Sequence, residues 1–182
     1  MHKRKVCRLY WILALVFAVA TQAQDQENQG LVKANRTPPP EYLEKVAPLL
    51  TPFDKVPPPS KRYRDHDLGT IQLAEFVYYV RKNGLRYYVA RYIIHPQTEA
   101  GAKALDESRF SFRKSQQRIY LVKADTILAD GTRVPVRENA AFIHDRADGE
   151  GVYEDGGELV IIHPKVQPGV TLEHTILWED TE

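Results

Sequence analysis

Residues 70–96 read TIQLAEFVYYVRKNGLRYYVARYIIHP, and the reading of this stretch decides the fold. Two runs rich in Ile, Val, Tyr and Phe flank Asn83-Gly84. β-Branched and aromatic side chains fit a pleated, half-buried surface, and Asn-Gly between two such runs is a strong hairpin signal. On the first run Ile71, Leu73, Val77 and Tyr79 share one face; on the second Leu85, Tyr87, Val89 and Ile93 do. The opposite faces carry Phe76, Tyr78 and Val80, then Tyr88, Tyr92 and Ile94, so neither side is purely polar. Strands apolar on both faces belong at the centre of a sheet or under cover on both sides.

The same texture continues downstream. HPQTEAGAKALDE reads as one short helix with Thr98 as its N-cap. RFSF and QQRIYLVKADTIL return to strand, and ILADGTRVPV at 127–136 raises a choice. An acid beside a glycine could serve a cation or catalytic site, or it could be the bend of a hairpin. Alternating residues on both sides favour the bend, with Asp130 and Gly131 as positive-φ residues of a tight turn like Asn83 and Gly84. Pro135 marks an edge strand or strand end. AAFIHDR is a further strand, and LVIIHPKVQPGVTLEHTILWE holds two more joined through Pro168-Gly169. Seven or so strands, many turns and one short helix predict an all-β fold, an antiparallel β-sandwich over residues 67–182.

The N-terminal third has a different character. Lys3, Arg4, Lys5 and Arg8 precede twelve unbroken apolar residues, Leu9 to Ala20, and Thr21 and Ala23 are the small residues of a cleavage site. That is the layout of a secretory signal peptide over residues 1–23. Twelve residues span about 18 Å as a helix, short of the ~30 Å hydrocarbon core, so no membrane span is expected after signal removal. The protein is expected to be exported, periplasmic or extracellular. Residues 24–66 read as a polar, proline-rich arm, since eight of the 12 prolines fall between Pro38 and Pro59. Within it Tyr42, Leu43, Val46, Leu49 and Leu50 have roughly helical spacing, and Pro48 limits any helix to about two turns. Those apolar residues suit packing on the domain surface or docking on a partner.

Composition excludes several functions. The chain has 25 Lys/Arg and 24 Asp/Glu; the first 23 residues hold four of the basic and none of the acidic residues, so the remainder carries a net −3. A mildly acidic, mixed surface is no footprint for nucleic acid. The one cysteine, Cys7, lies inside the signal, so the mature chain has no thiol nucleophile, disulfide or cysteine-ligated metal. No Gly-x-Ser-x-Gly elbow, phosphate loop, Gly-x-Gly-x-x-Gly or His-Glu-x-x-His occurs. The expectation is a non-enzyme without a cofactor.

Three constellations remain. His66, His95, His144, His163 and His174 show no paired ligand spacing, and structural placement is the default for each. The acidic stretch HDRADGEGVYEDGGE supplies Asp145, Asp148 and Glu150 as weak metal candidates, yet it fails the EF-hand pattern and reads first as a solvated loop. Tyr79, Tyr87, Arg86 and Arg91 are candidates for a binding surface, with tyrosines stacking on a sugar or peptide and arginines bonding its polar groups. Cross-strand packing is the favoured alternative because both strand faces are apolar.

YYVARYIIHPQTEAGAKAL, IYLVKADTILADGTRVPV and LVIIHPKVQPGVTLEHTILWE together resemble a known family. They are similar to its strand ending in L-T-x-A-G, its P-D-G-x-x-V hairpin and its closing P-G-L-x-P-G-D-x-I-E-Y hairpin. This is the bacterial domain of unknown function that precedes transglutaminase-like (papain-fold) domains in exported proteins, and the resemblance covers about residues 70–180. It implies an accessory β-sandwich without catalytic residues of its own, here without the catalytic domain. The implied partners are a separately encoded transglutaminase-like protein or a cell-envelope component. The alternative is a calcium-dependent binder or metal-assisted hydrolase using the 144–158 loop.

Overall fold

The computed structural model describes residues 31–60, 67–145 and 155–182. The strands are β1 (Val32–Lys33), β2 (Gly69–Val80), β3 (Arg86–Pro96), β4 (Glu107–Arg113), β5 (Gln117–Ile127), β6 (Arg133–Pro135), β7 (Ala141–Asp145), β8 (Gly156–Ile162) and β9 (Thr171–Asp180). They form two antiparallel sheets, ordered β1-β7-β8-β4 and β2-β3-β9-β5-β6. The expected antiparallel sandwich is the observed fold. Its core between the sheets is built from Ala90, Ile119, Leu121, Ala124, Leu159, Ile161, Ile176 and Trp178, among others.

The five-stranded sheet is covered on its second face as well. Here Tyr87, Val89, Tyr120 and Leu177 pack against Tyr42 and Val46 of the arm, both fully buried. Each such burial is worth about 1.5–3 kcal/mol. The described part of the arm includes β1, which pairs with β7 at the edge of the four-stranded sheet. It then crosses over, with Leu121 N–H donating to the Asn35 carbonyl at 2.8 Å, beside a bulge in β5. A short helix α1 (Pro40–Lys45) follows, with proline at its first turn, and Pro48 lies in the 3₁₀ turn Ala47–Leu49 that succeeds it. The chain stays within the two turns that Pro48 allows.

The helix α2 (Glu99–Leu105) forms where Thr98 caps it, its hydroxyl accepting from Gly101 N–H at 2.9 Å. Gly101 is forced by closeness: a Cβ there would stand 1.6 Å from the Leu68 carbonyl oxygen. This explains the glycine of the first family motif as a close approach of the helix to the backbone just before β2.

Two turn expectations need correction. Gly84 and Gly131 have φ of +84°, but Asn83 and Asp130 do not have positive φ. Both hairpins close by a three-residue loop rather than a two-residue mirror-image turn. Gly84 N–H donates to Arg81 O at 3.0 Å and Arg81 N–H to Leu85 O at 2.8 Å; Gly131 to Leu128 and Leu128 to Thr132 repeat the pattern at 2.9 Å each. Only the glycine needs the left-handed region in such a loop. The acid or amide before it instead accepts from the backbone two residues on: Asn83 Oδ1 from Leu85 at 3.1 Å, Asp130 Oδ1 from Thr132 at 2.8 Å. Pro168-Gly169 does form a turn, with Gly169 at φ +90°. It joins strands of opposite sheets, though, so the closing segment is a crossover and not a hairpin.

Candidate functional site

β9 is the centre of the five-stranded sheet and its faces carry the chemistry, because side chains alternate along a strand. On the arm side, Glu173 is fully buried and meets three cations. Arg91 from β3 reaches it at 2.7 Å, Arg133 from β6 at 2.7 Å and Lys123 from β5 at 3.0 Å. Arg133 also pairs with Asp125 at 3.0 Å. The arm is tied into this network: the Arg91 guanidinium donates to the Thr51 carbonyl, and Thr51 N–H and hydroxyl donate to Glu75 at 3.0 and 2.8 Å. Arg133 lies 4.5 Å over the Phe53 ring, a cation–π contact. Burial alone would push the Glu173 carboxyl up, but hydrogen bonds from Arg133, Arg91 and Lys123 outweigh it and hold the pKa below the ordinary value. This cluster is a latch for the arm.

Toward the rim, Glu179 accepts from Arg81 at 3.1 Å and from the Tyr120 hydroxyl at 2.7 Å. Burial first, and then that bond to Glu179, push Tyr120 up to about 12. Tyr42 is likewise pushed up to about 12 by burial, against the opposing charge of Arg91. None of these phenols is poised to ionise near neutral pH.

On the sandwich side, β9 places His174 against His163 from the crossover, with Nε2 and Nδ1 3.3 Å apart. Phe110 and Tyr92 pack on the His174 ring at 5.3 and 5.5 Å. Burial drives His163 down to about 4. Burial, and then the neighbouring His163, drive His174 down to about 3. Both rings are therefore neutral at physiological pH, one donating to the other. Sequence spacing missed this pair, since it forms between a strand and the crossover loop, eleven residues apart. His95 stands apart, 3.5 Å from the Thr171 hydroxyl, and its pKa is lowered by burial.

The binding-surface residues inferred from sequence do not form one open surface. Tyr87 is 2% and Arg91 6% exposed, both beneath the arm. Arg86 is exposed and pairs with Asp180 at 2.7 Å, while Tyr79 stacks on Tyr87 with ring centroids 6.3 Å apart. The open aromatic surface is on the other face. The five-stranded sheet is one strand wider than its partner, and β2 at its edge leaves Ile71 60%, Phe76 49%, Tyr78 65% and Val80 64% exposed. Tyr78 stacks on Tyr88 at 4.5 Å, Phe76 on Tyr88 at 6.2 Å, and Tyr88 leans on Trp178 at 5.1 Å. An aromatic ladder thus runs from the core to the solvent.

For the acidic loop, Asp145 ion-pairs with Lys114 at 2.8 Å, and Glu158 is shared by Arg109 and His144. Asp148 and Glu150 lie outside the described residues, as does the expected signal segment. Among the described residues no group of three or more His, Asp or Glu is placed to hold a metal ion, and no helix is long and apolar enough to cross a membrane.

Fold and sites together define a β-sandwich domain with a latched arm and an open edge strand. The model of a family of unknown function with a solved structure, DUF3857, matches residues 82–179, and the chain belongs to that family. No curated protein matches the chain. A 2.00 Å crystal structure of a candidate protease from Parabacteroides distasonis ATCC 8503 is similar to it, with a TM-score of 0.55 and 18% identity over 59% of this chain. The likeness is one of fold, and the match spans 22% of that protein's length. The resemblance drawn from three motifs is thus met at the level of the domain of unknown function.

Proposed function

We propose that this chain is an exported, non-catalytic accessory module that works by binding a protein partner, a transglutaminase-like enzyme encoded separately. The observation that carries the reading is the span of the structural likeness: the fold recurs as 22% of a much longer protein described as a candidate protease. A fold that forms a minor part of a longer chain described as a candidate protease suits association with a catalytic neighbour. The three family motifs and the latched arm support the same reading. The buried tyrosines and histidines hold pKa values far from neutral for structural reasons, namely burial and packing.

Calorimetric titration of the purified protein with a transglutaminase-like domain from the same organism tests this. Saturable one-to-one binding, with a Kd around micromolar or tighter and no turnover of peptide substrates by the module alone, is expected. Absence of binding, or peptide hydrolysis by the module, would overturn it.

A further inference from the structure

A second cluster of charged groups stands apart from the latch, where α2 meets the crossover after β8. His163 N–H donates to the Asp106 carbonyl at 2.8 Å and ties the crossover to the end of the helix. Beside this bond lies a cavity of about 420 Å³, within the range of about 300–1,000 Å³ of small-molecule sites. Glu99, Lys103 and Asp106 line it from the helix side, His163 and Lys165 from the crossover. Several exposed charges elsewhere are matched: Arg86 with Asp180, Arg109 with Glu158 and Lys114 with Asp145. Around the cavity they are not. Among the described residues Glu99, Lys103, Asp106 and Lys165 make no ion pair and no side-chain hydrogen bond. The field of Lys165 reaches Asp130, but no bond joins the two.

His163 is 4% exposed, and its Nδ1 has no hydrogen-bond partner. Its Nε2 faces His174 at 3.3 Å. The two nitrogens lie on opposite flanks of the imidazole, so Nδ1 turns away from His174, on a residue that walls the cavity. Leaving a buried polar atom unpaired is costly, and natural proteins keep few of them. Lys165 has φ +54°, alone among the described non-glycine residues in taking a positive φ. Such strain persists where the surrounding structure holds it, and it clusters at ligand sites. We propose that this cavity binds a small zwitterion of the amino-acid class, its carboxylate between Lys103 and Lys165 and its ammonium against Glu99 and Asp106. The lining selects that chemistry. Two carboxylates beside two ammonium groups oppose a simple anion as much as a simple cation. Ala102 and Val166 are too small a share of the wall to hold an apolar molecule. Among the described residues no group of three or more His, Asp or Glu is placed to hold a metal ion. Either tautomer of His163 finds a partner in a zwitterion, Nδ1 accepting from the ammonium or donating to the carboxylate. The inference is independent of the protein partner proposed above.

Titration followed at the His163 ring in long-range proton–nitrogen NMR spectra reads the outcome. Each common L-amino acid is added in turn to the purified protein. At least one is expected to bind saturably, with a Kd of about 1 mM or tighter, and to move the His163 resonances. N-acetylation and amidation of that amino acid should each weaken binding about tenfold, since each removes one charge. Lys165→Gly should weaken it as much and leave the thermal unfolding midpoint unchanged or higher, because glycine adopts φ +54° without strain. Glu99→Gln, at an exposed helix position, should also weaken binding and keep the midpoint, which separates loss of the site from loss of fold. Failure of every amino acid to bind at this affinity overturns the proposal. Equal binding of the capped forms, or binding untouched by both variants, overturns it too.

Discussion

The two faces of the five-stranded sheet are closed by different physics. The sandwich face is covered by a second sheet, and its only polar insertion at the centre of β9 is a neutral histidine pair. The opposite face is covered by an arm that buries two apolar side chains, Tyr42 and Val46, and fastens the rest by charge around Glu173. A sheet-on-sheet core is stabilised by many small contacts, so no single group dominates it. The arm's cover depends on a few groups, and removing one leaves its partners stranded.

Glu173→Ala gives the largest expected effect, because it leaves buried Arg91 with only the Glu75 carboxylate, 3.8 Å away. Breaking a buried pair from one side costs about 3–5 kcal/mol. Urea unfolding of the variant measures it, and a loss below about 1 kcal/mol would show that the arm face does not depend on its ions. Hydrogen exchange should rise first at Thr51 and Leu121, whose amides are held by Glu75 and by the arm's Asn35.

The second effect separates the faces by pH. A histidine held below its ordinary value of 6.5 binds its proton more weakly folded than unfolded. Its contribution is therefore complete above about pH 6.5 and is lost as pH falls toward 4. For His163 this amounts to on the order of 3 kcal/mol. Glu173 behaves in the same sense in a more acidic window: its carboxyl is held below 4.5, so its contribution persists above that value and disappears as pH falls through the lower folded value. Chemical denaturation between pH 7 and 3 should show both phases. His163→Leu with His174→Leu should remove most of the slope between 6.5 and 4, leaving the part due to His95 and the more acidic phase. A flat profile in the unaltered protein from pH 7 to 4.5 would dispose of the histidine assignment.

The smallest effects lie at the sheet's two rims, outside both faces. Gly84→Ala and Gly131→Ala each force a side chain into φ +84° and should cost about 1 kcal/mol by thermal unfolding. Asp130→Ala removes the exposed bond to Thr132 and should lower the unfolding midpoint by less than either glycine variant. An Asp130 effect larger than that of Gly131 would mean that the acid does more than shape the loop.

Much of this fold is legible in the sequence. Asn83-Gly84 and Asp130-Gly131 mark real hairpins, Thr98 does cap a helix, and Pro48 does confine α1. Each of these signals is local, acting within a few residues. The sites are less legible because their partners are remote. Arg91 and Glu173 are 82 residues apart in sequence, and Lys123 and Arg133 join them only because β9 lies between β3 and β5. Alternation misassigned Ile71, since one bulge moves it to the other face. Tyr87 and Arg91 stayed candidates for a binding surface beside the favoured packing role, because nothing in the strand itself records that the arm lies over them.

The sequence by itself determined the strands, the bends between them and the apolar character of both strand faces, because pleat and turn chemistry are properties of neighbouring residues. Tertiary structure alone decided which sheet each strand joined and which face was covered. Coverage depends on the relative widths of two sheets and the path of the arm. Four strands packed on five leave the outer strip of β2 in water, and the arm seals the other side.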